Sequence, residues 1–264
     1  GTLDPLAEGI LPLAIGKITK LIPFINNSIK EYEFEIKWGE QTLTDDREGE
    51  IINLSSYIPS EIEICDKLKN FKGTILQRPP RASAIKISGQ RAYKLLRNKE
   101  QFEINKRLVE IYDAKFIDQP LLNISKIKII CGKGFYVRSF ARDLGEILNT
   151  KAHVYSLKRT KVGKFTIKNS ILLDDLLKIS EMAFGIRGFH PSISMLDDIL
   201  AFEVDDEKIL DNISHGRVVK INKQDMPKPQ RPDDNKVCLL INKETVVSLG
   251  KFDGNIFIPQ KVFI

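Results

Sequence analysis

The sequence is poor in the features that mark membrane spans, secreted scaffolds and metal centres. No apolar run approaches the ~20 residues a helix needs to cross a bilayer. The stretch Ile10 to Ile15 is too short, and it follows Asp4 and Glu8 rather than a basic segment, so it does not read as a signal peptide. Cysteine is scarce: Cys65, Cys131 and Cys238 are odd in number, far apart and without C-x-x-C spacing. Neither a disulfide framework nor a zinc or redox motif is expected, and a reducing cytoplasm is the natural compartment. His153, His190 and His215 are equally scattered, so no metal site is inferred. Gly132-Lys133-Gly134 lacks the Gly-x-x-x-x-Gly-Lys-[Ser/Thr] frame of a phosphate-binding loop, which argues against a nucleoside triphosphatase. There is no internal repeat.

What remains is globular material with an uneven charge. At 42% hydrophobic and 29% charged residues the chain can bury a full core, and disorder is excluded. The net charge is only +6, but Lys67 to Arg107 holds twelve Lys/Arg against Glu100 and Glu103. That segment is +10, which leaves the rest of the chain at −4. A basic excess confined to one segment points to a surface that contacts phosphates, hence a nucleic-acid partner.

Periodicity indicates a mixed fold. Glu31 to Trp38 alternates charge with Tyr32, Phe34, Ile36 and Trp38, a strand with one buried face. Ile10 to Ile15 reads as a buried strand, and Gly16 to Ile25 as a short helix carrying Leu21, Ile22 and Ile25 inward. Ser60 to Asn70 reads as a capped helix with apolar residues at 62, 64, 68 and 71, followed by a strand over Gly73 to Leu76. Gln90 to Arg97 is helical in composition, and Phe102 to Ile117 and Leu121 to Cys131 are strands. Tyr136 to Leu148 places Val137, Phe140, Ala141, Leu144 and Leu148 on one stripe of a helix. His153 to Ile167 is extended and Leu172 to Ile179 helical. The Gly- and Pro-containing stretch Phe184 to Ser194 is a linker, and beyond it lie an acidic helix over Asp205 to Ser214 and strands at Val218 to Ile221, Val237 to Ile241 and Thr245 to Lys251. The pattern is α+β: a mixed, mainly antiparallel sheet domain with helices over 1–190 and a small β-rich domain over 191–264.

One carboxylate stands out. Pro5 fixes its own φ and drives Asp4 out of the α region, so Asp4 is displayed on a tight turn instead of packed in a helix. The pair alone is an ordinary turn; the longer pattern Gly-Thr-Leu-Asp-Pro-x-Ala-x-Gly-x-Leu-x-x-x-x-Gly-x-x-Thr-Lys over residues 1–20 resembles the active-site motif of the TruB-type tRNA pseudouridine synthases. Further blocks follow in family order. Gly39 to Gly49 resembles Gly-x-x-Thr-Asp-Thr-x-Asp-x-x-Gly, with Leu43 for the usual aspartate. Gln77 to Lys86 resembles Gln-x-Pro-Pro-x-[aromatic]-Ser-Ala-[Ile/Leu]-Lys, with Ala82 for the aromatic. Cys131 to Arg138 resembles Cys-x-Lys-Gly-Thr-Tyr-Ile-Arg, and Leu157 to Phe165 resembles Leu-Arg-Arg-Thr-x-x-Gly-x-Phe. The likeness covers nearly the whole chain, and it implies an upstream family segment of about forty residues whose loss would leave the catalytic turn near a frayed end.

The resemblance implies an isomerase of tRNA that converts the uridine at position 55 of the T loop into pseudouridine, without metal or organic cofactor. Asp4 is the implied nucleophile, and it forms a transient covalent adduct. An aspartate in a pocket that excludes water needs a cation to stay ionised; Arg138, at the start of a helix, is the expected partner, while Arg142 reads as a surface residue. Tyr32 is implied to stack on the flipped base and to receive a ribose proton, with Tyr136 and Leu157 contacting the uracil or its ribose. Lys20, Arg78, Arg81, Lys86, Arg91 and Arg97 are the candidate RNA contacts, and the tail resembles a shortened PUA-like RNA-binding domain. A monomer acting on the tRNA T stem-loop is expected. The alternative is a protein that binds or folds tRNA without catalysis, and a further one is a synthase acting on another RNA.

Overall fold

The computed structural model describes residues 2–24, 29–178, 188–191, 193, 199–221 and 237–264. They form two compact units: Gly1–Pro12 with Ser28–Lys168, and Leu13–Asn27 with Asn169–Ile264. The division follows Lys168 instead of falling near 190, and the segment 13–27 joins the second unit; most of the expected linker lies outside the described residues.

The first unit is built on β1 (Glu8–Gly9), β2 (Lys30–Trp38), β3 (Glu40–Thr42), β4 (Ile51–Leu54), α1 (Glu61–Leu68), β5 (Gly73–Gln77), β6 (Lys86–Ile87), β7 (Gln90–Arg91), α2 (Ala92–Arg97), β8 (Arg107–Leu121), β9 (Ile124–Cys131), α3 (Val137–Ile147), β10 (Ala152–Val162) and β11 (Phe165–Thr166). Its main sheet runs β1-β10-β2-β9-β8-β5, with β11 on β10; β1 pairs parallel and the others antiparallel. The alternation in β2 puts Tyr32, Phe34, Ile36 and Trp38 in one buried cluster with α3 residues Phe140, Ala141 and Leu144, and Phe34 meets Phe140 edge-on at 5.8 Å. The polar end of Trp38 is satisfied where its indole N–H donates to Ser125 Oγ at 2.9 Å. The capping box of α1 is complete, with Ser60 accepting from Glu63 N–H and Glu63 reaching back to Ser60 N–H.

Four local expectations fail. Ile10 to Ile15 is not a buried strand: pairing stops after Ile10 N–H donates to Arg159 O, because Pro12 has no N–H to extend a ladder, and Leu13 and Ile15 are 66% and 74% exposed. Gly16–Phe24 is a 3-10 helix, whose threefold repeat aligns Ile18 and Leu21 with the core and turns Ile22 outward; Ile25 lies outside the described residues. Ile62 is 80% exposed, since the inward face of α1 is set by the spacing Ile64, Leu68, Phe71. Phe102 to Lys106 precede the strand they were assigned to, which begins at Arg107.

The second unit holds the 3-10 helix, α4 (Leu173–Leu176), β12 (Ala201–Glu203), α5 (Glu207–Ser214), β13 (Val219–Lys220), β14 (Val237–Asn242), β15 (Thr245–Asp253) and β16 (Ile256–Val262). The sheet order is β12-β14-β15-β16-β13, parallel only at β12–β14. β14 is apolar at nearly every position because both faces are covered: Cys238 and Leu240 pack with Phe252 and Ile213 of α5, and Leu239 with Leu21 of the 3-10 helix. Among the described residues no helix is long and apolar enough to cross a membrane.

Candidate active site

The opening segment is fixed on both sides of Asp4. After the Asp4 turn, closed by Ala7 N–H donating to Asp4 O at 2.9 Å, the chain meets β10 at Gly9, opposite Arg159. Gly9 has φ +104°, and a Cβ there would lie 2.2 Å from Arg159 O, so only glycine permits this approach. The buried Arg159 side chain returns to the same segment, donating from Nε to Ile10 O at 2.7 Å and from Nη1 to Thr2 O at 3.2 Å.

Arg138 reaches Asp4 from the first turn of α3. Its Nε donates to Asp4 Oδ2 at 2.8 Å and its Nη2 to Asp4 Oδ1 at 3.0 Å, a bidentate fork that fixes the carboxylate plane. The remaining donors go to Ala82 O at 3.3 Å, Thr44 O at 3.1 Å and Asp46 Oδ2 at 3.2 Å. All five guanidinium donors are therefore used. Arg138 is 6% exposed and Asp4 31%, so the cation is sealed in while one side of the carboxylate stays open. Asp46 is itself held by Thr44 Oγ1 at 2.6 Å and Glu48 N–H at 3.1 Å. Asp46 stands at the second fixed aspartate of the Gly39 to Gly49 block and Asp45 at a variable position, but that it meets Arg138 is shown only by the fold.

Tyr32 stands opposite Arg159 across the β2–β10 pair, buried in the core cluster with Leu157, which stands opposite Phe34. Burial pushes the Tyr32 phenol up to about 12, a shift that the Arg159 guanidinium only partly opposes and the Asp4 charge adds to, so the hydroxyl keeps its proton at neutral pH. Tyr136 is the residue before α3, and Gln77 pins it from both sides: the amide donates to Tyr136 O at 3.1 Å and accepts from Tyr136 N–H at 2.8 Å. The Arg107 guanidinium lies 5.0 Å from the Tyr136 ring centroid, a cation–π contact the sequence did not single out. Arg142 is not a surface residue: it is half-buried and paired with Asp45 at 2.7 Å.

Of the basic candidates, Arg78, Arg81, Lys86, Arg91 and Arg97 are exposed in the first unit, while Lys20 is exposed in the second. Arg81 lies 4.8 Å from the Phe102 ring centroid, and Arg91 donates to Ala84 O. Cys65, Cys131 and Cys238 are free thiols, and burial pushes Cys131 up to about 12, which makes it unreactive. Among the described residues no group of three or more His, Cys, Asp or Glu has the arrangement to hold a metal ion.

Comparison with known proteins places the chain in a family. Residues 1–137 match the family model of the TruB family pseudouridylate synthase N-terminal domain, and residues 138–187 match that of the tRNA pseudouridylate synthase B C-terminal domain. The chain is 38% identical to tRNA pseudouridine synthase B of Caulobacter vibrioides over 265 residues, covering all of this chain and 85% of the relative. It is 47% identical to the Bartonella quintana protein of the same name over 204 residues, 76% of each. Among solved structures, an H/ACA RNP bound to a substrate RNA containing 2′-deoxyuridine aligns at TM-score 0.69 and 19% identity, and a Cbf5-Nop10-Gar1 complex at 0.68 and 22%; each covers all of this chain and 75% of the other, and at those identities they speak for the fold. With both family models matched in sequence order and the motif aspartate seated on the motif arginine, the chain belongs to the TruB family of pseudouridylate synthases.

Proposed function

We propose that this chain isomerises the uridine at position 55 in the T loop of tRNAs, with Asp4 as nucleophile and Arg138 as the cation that pairs with it and orients it. The observation that carries the reading is the bidentate Asp4–Arg138 fork, with every guanidinium donor spent and one face of the carboxylate open. The relatives named above are tRNA pseudouridine synthases, which supports tRNA uridine as the substrate class.

The reaction breaks the C1′–N1 glycosidic bond and forms C1′–C5. N1 gains a proton and C5 loses one, so the net change is an isomerisation that needs no external reactant. Asp4 attacks C1′ as the C1′–N1 bond breaks, the freed base turns within the pocket, and C5 then bonds to C1′ as the carboxylate leaves and C5 gives up its proton. The target nucleotide leaves its stack to reach Asp4, and Tyr32, Tyr136 and Leu157 form the wall that receives it, stacking being worth about 1–3 kcal/mol per base. With its phenol pushed up to about 12, Tyr32 acts as a wall and hydrogen-bond donor; to accept a ribose proton it must first pass on its own. Arg78, Arg81, Lys86, Arg91 and Arg97 line the tRNA backbone, and the second unit serves as a PUA-like RNA-binding domain to which Lys20 belongs. The protein works as a monomer in the cytoplasm, a compartment in keeping with three free thiols.

The test is site mapping. An unmodified tRNA transcript incubated with the protein is expected to carry one pseudouridine, in the T loop at position 55, and a uridine-to-cytidine change there abolishes product. Pseudouridine at another position, or none, contradicts the reading.

A further inference from the structure

Helix α3 carries two arginines one turn apart, and both reach the same two loops. Arg138 binds Thr44 O and the Asp46 carboxylate in the loop 42–49, and Ala82 O in the loop 77–83. Arg142 donates from Nη1 to Asp45 Oδ2 at 2.7 Å in the first loop, and from Nη2 to Arg78 O at 2.8 Å in the second. Ser139 Oγ donates to the same Arg78 O at 2.7 Å. Asp45 is the residue between the two acceptors that Arg138 Nη1 uses, so the position of Asp45 sets theirs. Its backbone adopts φ +62°, a left-handed conformation that tolerates Asp and Asn better than most side chains.

We propose that Asp45 and Arg142 form a positioning pair that locks both loops to α3 and thereby holds the Arg138 fork against Asp4. Neither side chain touches the reacting atoms. The proposal rests on the pseudouridine-synthase reading for its assay, and on the geometry above for its content.

The local charge makes the pair sensitive to acid. Two guanidiniums, Arg138 and Arg142, serve four carboxylates: Asp4, Asp45, Asp46 and Asp143. Burial pushes Asp45 up to about 6, and Arg142 and Arg138 draw it only part of the way back, while Asp143 adds to the rise. Around the pair, Glu146 of α3 adds to the negative charge acting on Arg142 and Asp143, and on β10 His153 is shifted down by burial with its Nδ1 3.0 Å from Glu40 O. Below about pH 6 Asp45 becomes neutral, its hold on Arg142 weakens, and turnover falls. Stability moves the opposite way. Because the folded pKa lies above the unfolded value of 3.8, the contribution of Asp45 is fully present below that value and is lost as pH rises through about 6.

The experiment measures kcat, KM for tRNA and melting temperature for the wild type, Asp45→Asn, Arg142→Gln and the double variant, from about pH 5 to 8. Asp45→Asn is expected to lower kcat ten- to hundredfold with little change in KM, to abolish the acid limb near pH 6, and to lack the wild type's loss of stability as pH rises through about 6. The double variant is expected to be no worse than the poorer single one. Wild-type kcat in Asp45→Asn, or an acid limb that survives in it because His153 or another group carries it, overturns the proposal. Should Arg142→Gln fail to fold, the near-isosteric Asp45→Asn still decides. An inactive wild type would instead overturn the functional reading, which keeps the two failures apart.

Discussion

Arg138→Lys is expected to lose about 10²- to 10³-fold in kcat while binding tRNA almost as well as the wild type. Lysine keeps the charge but offers a point in place of a fork, and it cannot fix both Asp4 oxygens and also serve Thr44 O, Ala82 O and Asp46. The nucleophile then rotates, and a misplacement on the scale of an ångström is enough for such a loss. Arg138→Ala goes further. It leaves Asp46 buried without its cation, and breaking a buried pair this way costs about 3–5 kcal/mol of stability. Single-turnover rates for the lysine variant and urea unfolding for the alanine variant measure the two effects separately. A lysine variant with wild-type kcat would mean that the fork is structural only.

The second large effect comes from a residue with no side chain. Gly9→Ala is expected to cost about 3 kcal/mol or more, from left-handed backbone strain and a Cβ driven into Arg159 O. In a unit of this size that is a fall of roughly 6–12 °C in melting temperature. The strain cannot be relieved locally without lifting the β1–β10 pairing, and that pairing, with the Arg159 bonds to Ile10 O and Thr2 O, is what holds the Asp4 turn in place. Turnover is therefore expected to fall together with stability. An alanine variant that melts and turns over like the wild type would show that Gly9 plays no part in fixing the turn.

Legibility in the sequence followed the range of the interactions. The alternation of β2, the capping box of α1 and the buried stripe of α3 are local patterns, and each was readable because neighbours within a few residues determine it. The strand expected at Ile10 to Ile15 does not form because Pro12 outweighs the apolar content of the run, and Ile22 faces outward because the helix has a 3-10 and not a 3.6-residue repeat. β12 and β16 were not anticipated: the first is three residues long, and the second contains Pro259, which weakens a strand signal. At the site, Asp4 and Arg138 were legible only through likeness to a family, since 134 residues separate them. Asp46 and Arg159 hold fixed places in two of the family blocks, but their contacts, and the Asp45–Arg142 pair altogether, were not legible, because which of two adjacent aspartates meets which of two arginines one turn apart is settled by loop conformation, not by spacing.

The central claim is that Asp4 attacks the flipped nucleotide, and the most direct measurement is single-turnover release of tritium from tRNA labelled at uracil C5. Forming the C1′–C5 bond expels that label, so release reports the new bond itself. The wild type is expected to release one equivalent per tRNA, and Asp4→Asn, which preserves the shape of the turn but removes the nucleophilic charge, is expected to bind the tRNA and release none. Release by Asp4→Asn at a rate near that of the wild type would contradict the account.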